Sequence, residues 1–150
     1  MVAADAEEIN SMDMNERLIR IPVREQDPKV RATNFEEVCL GYNEEEATKE
    51  ASRCLNCKVP KCVEGCPVSI DIPGFISKAK TGDFEGAAKE IAKYSSLPAV
   101  CGRVCPQESQ CEGNCVLGIK GQAVAIGKLE KFTADWSRKN NVDLSGREPS

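Results

Sequence analysis

Eight of the chain's nine cysteines fall into two quartets, and the chain has no histidine. The first quartet is Cys54-x-x-Cys57-x-x-x-x-Cys62-x-x-x-Cys66, followed by Pro67. The second is Cys101-x-x-x-Cys105-Pro106, then Cys111-x-x-x-Cys115. Thiolates are soft donors that select copper(I), zinc or iron–sulfur clusters. A 4Fe–4S cube needs four donors converging on a small centre, and short loops let consecutive cysteines turn their sulfurs inward. Cys54, Cys57 and Cys62 can reach three irons of one cube. Cys66 lies one helical turn beyond Cys62 and can point toward a second centre. The same logic runs in reverse through Cys105, Cys111 and Cys115. Two interleaved clusters, each drawing on both quartets, explain why the quartets come as a pair.

The two Cys-Pro endings favour iron–sulfur, because bacterial cluster-binding runs also close on Cys-Pro, with the last cysteine serving the other cluster of a pair. The alternative is a structural zinc module that serves as an interaction domain. Four-cysteine zinc sites are common, but zinc ribbons usually show two Cys-x-x-Cys pairs and this chain has one. An odd cysteine count argues against a disulfide framework. The N-terminal MVAADAEEIN is acidic and lacks an apolar core, so it is not read as a signal peptide, and no stretch is long enough to span a membrane. The expected compartment is the cytoplasm, where clustered thiols are metal or redox sites. A net charge of −4 gives no electrostatic support to nucleic-acid binding.

These donors need elements to hold them. Asn43 and Glu46 form a capping box for a helix carrying Ala47 and Ala51, which delivers Cys54 at its C-terminal end. Asp71 caps a second helix, with Pro73 in its first turn, Gly82 after its end, and Ile72, Phe75, Ile76 and Ala79 facing inward. Asp83 caps a third, with Phe84, Ala87, Ala88 and Ile91 inward. Ser95 to Pro98 breaks that helix. A closing helix is expected over about 123–140, with Ala125, Leu129, Phe132 and Trp136 on one stripe. No strand pair is legible, and Val100 and Val104 read as isolated residues in cysteine-rich turns. Pro22 and Pro28 are expected to interrupt helix in an extended N-terminal arm over 1–35, with one short helix around Met14 to Ile19. The arm's charges read as a solvated tether. The two-cluster domain is expected over 36–137 and a polar linker over 138–150. The fold class is all-α, with a core thin enough in aromatics that bound clusters would supply cross-links.

The runs EEATKEASRCLNCKVPKCVEGCPVSIDIPGFI and LPAVCGRVCPQESQCEGNCVLGIKGQAVAIGKLEKFTADW resemble the N-terminal iron–sulfur domain of the NADPH-dependent glutamate synthase small-subunit family. That family is itself similar to the large subunit of NADH-dependent ferredoxin:NADP oxidoreductase and to the N-terminal domain of dihydropyrimidine dehydrogenase. The resemblance covers roughly residues 20–137. It implies an α-helical ferredoxin-like fold around two 4Fe–4S clusters. It also implies a ligand list: Cys54, Cys57, Cys62 and Cys115 for cluster one, and Cys66, Cys105, Cys111 and Glu130 for cluster two. The residues alone would have chosen Cys101 over Glu130. Yet Glu130 shares a helix face with Ile126 and Ala134 and has no Lys or Arg at pairing distance along the helix. The opposing reading is a solvent-facing carboxylate flanked by Lys128 and Lys131. Cys101 is then a small buried hydrophobe or a spare thiol, and Cys39 is structural. Lys58, Lys61, Arg53 and Arg103 stand beside ligands and could offset cluster charge, but Lys58 and Lys61 read first as solvated surface lysines.

Cubes with every iron held by protein have no open site, so the expected role is one-electron relay and no catalysis by this chain alone. The resemblance implies a flavin and NADPH-binding module as partner, with glutamate synthase large subunit or ferredoxin as further partners. That module carries G-x-G-x-x-G after a strand. No such motif occurs here, and the chain reads as a truncated piece or a partner-dependent subunit. A redox-sensor role would call for a regulatory partner, and no DNA-binding helix pair is legible. Acid-labile sulfide and visible colour in anaerobically purified protein are the expected outcome; a colourless, zinc-loaded protein would remove the iron–sulfur reading.

Overall fold

The computed structural model describes residues 12–145, so the acidic MVAADAEEIN segment and the Gly146 and Pro149 end of the expected linker lie outside it. Within that range, side-chain caps at Asn43, Asp71 and Asp83 start three helices where the sequence places them. Helix α1 (Met14–Arg17) follows Asp13, whose capping box with Glu16 closes both ways. Strand β1 (Arg24–Glu25), helix α2 (Pro28–Arg31) and strand β2 (Cys39–Gly41) come next. Helix α3 (Glu44–Ser52) opens on the Asn43–Glu46 capping box, with both reciprocal bonds at 2.8 Å. The single turn α4 (Lys61–Glu64) sits inside the first quartet. Helix α5 (Ile72–Lys80) is capped by Asp71, which accepts from Gly74 N at 3.0 Å, and α6 (Phe84–Ala92) by Asp83, which accepts from Gly86 N at 2.8 Å. Helix α7 (Pro98–Val104), three 3-10 turns over the second quartet and the closing helix α8 (Ile126–Lys139) complete the order.

The core is the set of faces that the helical spacing picks out. Ile72, Phe75, Ile76 and Ala79 of α5 and Phe84, Ala87 and Ile91 of α6 are buried together with Leu129 and Phe132 of α8. Phe84 meets Phe132 edge-on at 5.0 Å between centroids and tilts against Trp136 at 5.6 Å. Trp136 also donates its indole N–H to Glu44 at 2.9 Å, tying the end of α8 to the start of α3.

Three local expectations are corrected. A strand pair exists: β1 and β2 are antiparallel, with Arg24 opposite Gly41. Strands of two and three residues are too short to show a period of two in the sequence. Their pairing is supported by tertiary contacts, with Tyr42 OH donating to Ile21 O at 2.7 Å and Arg24 pairing with Glu46 at 3.3 Å. Pro28 does not break a helix; it is the first residue of α2, where a missing N–H costs nothing, and Asp27 caps that turn. Val100 and Val104 lie in helix α7, again begun by a proline in its first turn.

Helix α7 holds its place through Gly102. A Cβ there would lie 2.6 Å from Lys131 N and 2.9 Å from Gly127 O, so the two helix backbones touch at this residue. No side chain fits between them. Gly102→Ala is expected to destabilise the protein by about 1–3 kcal/mol, read as a lower midpoint in chemical denaturation; an unchanged midpoint would mean that α7 does not depend on this contact.

Candidate metal centres

The end of α3 delivers Cys54, two residues after Ser52. Turn α4 carries Cys62 and leaves Cys66 just past its Gly65 cap. The C-terminal end of α7 delivers Cys105, and the 3-10 turn over Glu112–Asn114 separates Cys111 from Cys115. The two cysteine segments meet at Gly65. A Cβ on Gly65 would stand 2.5 Å from Asn114 Nδ2 and 2.6 Å from Gln110 O, so the Cys62–Cys66 turn lies directly against the Cys111–Cys115 turn.

That contact sorts the donors into two groups. Cys54, Cys57, Cys62 and Cys115 line one apolar hollow, with Ile72, Ile76, Leu117 and Ile126 behind them. Burial raises the Cys54 thiol pKa, and the charges of Cys115 and Cys57 add to the rise. Burial and the neighbouring Cys54 and Cys115 push Cys62 up to about 11. A second group forms around Glu130. Burial, then the Glu112 charge, push Cys111 up to about 12, with Cys66 and Glu130 also contributing. Cys105 is raised by burial and by Cys101, with Glu130 and Cys66 adding to it. Each group thus takes members from both quartets. Cys101 stands beside Cys105, its Sγ 4.0 Å from Ser95 Oγ and its carbonyl accepting from Gln107 Nε2 at 3.2 Å.

Glu130 is not solvent-facing. It is 7 % exposed, its Oε1 is buried with no hydrogen-bond partner, and burial alone lifts its pKa to about 7. The adjacent Lys131 turns to Asp135 at 3.2 Å and Glu37 at 3.7 Å. An unpaired buried carboxyl is costly unless a cation or a proton joins it. Burial poses the same problem for the Cys54 and Cys62 thiolates in the apolar hollow, with neighbouring charge adding to it. Both donor sets therefore fit a cofactor that brings positive iron to anionic ligands, as a 4Fe–4S cube does. Among the described residues, no group of three or more His, Cys, Asp or Glu is drawn tightly enough for one metal ion. A zinc site requires four donors about 2.0–2.3 Å from a single centre.

Of the cations beside the cysteines, the two arginines are engaged elsewhere, and the two lysines are exposed, as their surface reading expects. Arg53 is fully buried against Glu50 and donates to Arg17 O at 3.0 Å and to Gln122 O. Arg103 pairs with Glu37 and Asp135, both at 2.8 Å, and Lys61 with Glu64 at 2.9 Å; Lys58 is exposed. Nor are the arm's arginines a solvated tether. Arg17 Nη1 donates to Ser52 O at 2.9 Å, and Arg20 reaches Ala123 O and Glu112. The residues that sequence reasoning missed are Glu50 and Glu112, buried acids that bond, Arg53 apart, to residues far off in the chain. No local signal distinguishes them from surface glutamates.

Residues 31–142 match the family described as dihydropyrimidine dehydrogenase domain II, 4Fe-4S cluster. The chain is 41% identical over 120 residues to the glutamate synthase [NADPH] small chain of Halomonas elongata, covering 77% of this chain and 25% of that one. It is 40% identical over 107 residues to the glutamate synthase [NADPH] small chain of Escherichia coli, covering 71% and 23%. It is 37% identical over 98 residues to the NAD-dependent dihydropyrimidine dehydrogenase subunit PreT of Escherichia coli, covering 65% and 24%. The chain thus spans about a quarter of the length of these curated relatives. Among the described residues no helix is long and apolar enough to cross a membrane.

If the Gly65 contact sets the spacing of both groups, Gly65→Val forces the two turns apart. We expect the variant to lose iron from both centres, measured as iron per chain after anaerobic reconstitution. Full loading would show that the groups form without that contact.

Proposed function

The chain belongs to the dihydropyrimidine dehydrogenase domain II 4Fe-4S cluster family, and on that footing we propose that it is a two-cluster electron relay of an NADPH-linked oxidoreductase of the glutamate synthase small-chain kind. It is an iron–sulfur domain, and a zinc module is not favoured. Cluster one is held by Cys54, Cys57, Cys62 and Cys115. Cluster two is held by Cys66, Cys105, Cys111 and Glu130, in an α-helical ferredoxin-like fold. The observation that carries the reading is the buried, unpartnered Glu130 carboxyl beside Cys66, Cys105 and Cys111. It supplies a fourth donor where only three cysteines of the resemblance-derived set are present.

When bound, the clusters supply one-electron transfer at potentials set by charge, hydrogen bonds and exposure. The chain's own residues do the rest. Ile72, Ile76, Leu117 and Ile126 exclude water behind the first donor set. The Glu37–Arg103–Asp135–Lys131 network neutralises itself beside the second and leaves Glu130 free of a lysine partner. The arm over 1–35, the cluster domain over 36–137 and the linker over 138–150 serve a flavin and NADPH-binding module, in the same polypeptide or another. The relay runs between that flavin and a partner site, of which glutamate synthase large subunit and ferredoxin are the named candidates, in the cytoplasm. By itself the chain is not a catalyst.

Anaerobic reconstitution is expected to give a brown protein with about eight irons per chain. In Glu130→Ala, electron paramagnetic resonance of the reduced protein should show one cluster signal altered or lost and the other intact. Unchanged spectra for both clusters would refute Glu130 as a ligand and leave Cys101, next to Cys105, as the fourth donor.

A further inference from the structure

The closing helix α8 has no side-chain cap of its own: its N-cap residue is Ala125, which offers no acceptor. Two carboxylates from distant parts of the chain take that role. Glu50, on the helix that delivers Cys54, accepts from Ala125 N at 2.8 Å through Oε1. Glu112, next to Cys111, accepts from Gly127 N at 3.1 Å through Oε1. Glu50 is fully buried and Glu112 is 9 % exposed. Each carboxylate's other oxygen is held by one of two consecutive arm residues: Glu112 Oε2 by Arg20 Nη2 at 2.8 Å, and Glu50 Oε2 by Ile21 N at 2.8 Å. Arg20 also donates twice to Ala123 O, at 3.1 and 3.0 Å, and its backbone N–H donates to Gln122 Oε1 at 2.7 Å.

We infer that Glu112, gripped by Arg20, is a positioning residue that fixes the Glu130 carboxylate relative to Cys111 in the second centre. The inference rests on the two-cluster reading above. Glu112 lies one residue from Cys111, and its bond to Gly127 lies one turn before Glu130. A single buried side chain therefore ties the residue after Cys111 to the turn before Glu130. Negative charge at a helix N-terminus is favourable, and here the charge is buried and doubly bonded, so little freedom remains. The arm takes part through Arg20, which neutralises Glu112 without occupying the oxygen that Gly127 uses. Glu50 does the corresponding work between α8 and the Cys54 helix, with Arg53 as its cation.

The test uses reconstituted, reduced protein and reads iron content, the resonance spectrum of each cluster, and amide exchange over residues 123–130. Wild type and Glu130→Ala first establish which signal belongs to the second cluster; a wild type without two cluster signals removes the two-cluster reading itself, and unchanged spectra in Glu130→Ala remove Glu130 as a ligand and this inference with it. Glu112→Ala is then expected to broaden or lose that signal, bring iron from about eight toward about four per chain, and speed exchange over 123–130, with the first cluster's signal kept. Glu112→Gln keeps an acceptor for Gly127 N and should restore most of the second signal. Arg20→Gln, which leaves Glu112 in place, should shift the second signal without losing it and serves if the alanine variant does not fold. Equal loss of both signals in Glu112→Ala and Glu112→Gln would assign Glu112 a general structural role. An unchanged second signal in Glu112→Ala and Arg20→Gln, with Glu130→Ala altered, would overturn the inference alone.

Discussion

Burial of acidic donors, with mutual repulsion adding to it, is the constraint around which this chain is organised. Cys54, Cys62, Cys105 and Cys111 all have raised thiol pKa values, with burial the first cause and neighbouring charge adding to it. Glu130 is raised by burial alone. Such groups gather only where something positive compensates them or where they stay protonated. Three of the positive side chains nearby are committed elsewhere: Arg53 to Glu50, Arg103 and Lys131 to Glu37 and Asp135. Iron of a bound cluster would supply positive charge directly at the donors. A domain of this kind draws folding free energy from its cofactor as well as from its apolar faces.

The helical frame serves that convergence. Helices α5 and α6 with α8 make an ordinary apolar core, sealed by Phe84, Phe132 and Trp136. The cysteine segments lie against that core as short turns with little regular structure of their own. They are held by close backbone approaches at Gly65 and Gly102, and by buried acids bonded to the start of α8. The arm completes the frame: Arg17 and Ile21 bond to Ser52 and Glu50 of α3, and Arg20 to the loop before α8.

Local chemistry made much of this legible. The capping box at Asn43 and Glu46 and the caps at Asp71 and Asp83 fall where side-chain chemistry dictates, and the faces of α5, α6 and α8 follow their spacing. The cysteine spacing pointed to cluster chemistry, and the family match supports it. What escaped was non-local. Helix α7 looked like loop because its stability comes from packing Gly102 on α8, not from its own seven residues. The β1–β2 pair is too short to carry a pattern. The arm looked solvated because its arginines find carbonyls 35 to 103 residues away. Glu50 sits in a charged helix and Glu112 in a polar cysteine turn, and only the folded chain separates a buried clamp from a wet surface.

The crossing of the two donor groups has a consequence for biosynthesis. Cys115 stands with Cys54, and Glu130 with Cys66. Neither donor group is complete while the ribosome has released only the first cysteine segment. The nascent polypeptide therefore passes through a stage in which the four thiols of that segment lack their partners from the second segment and α8. Thiol protection in that interval falls to the cell.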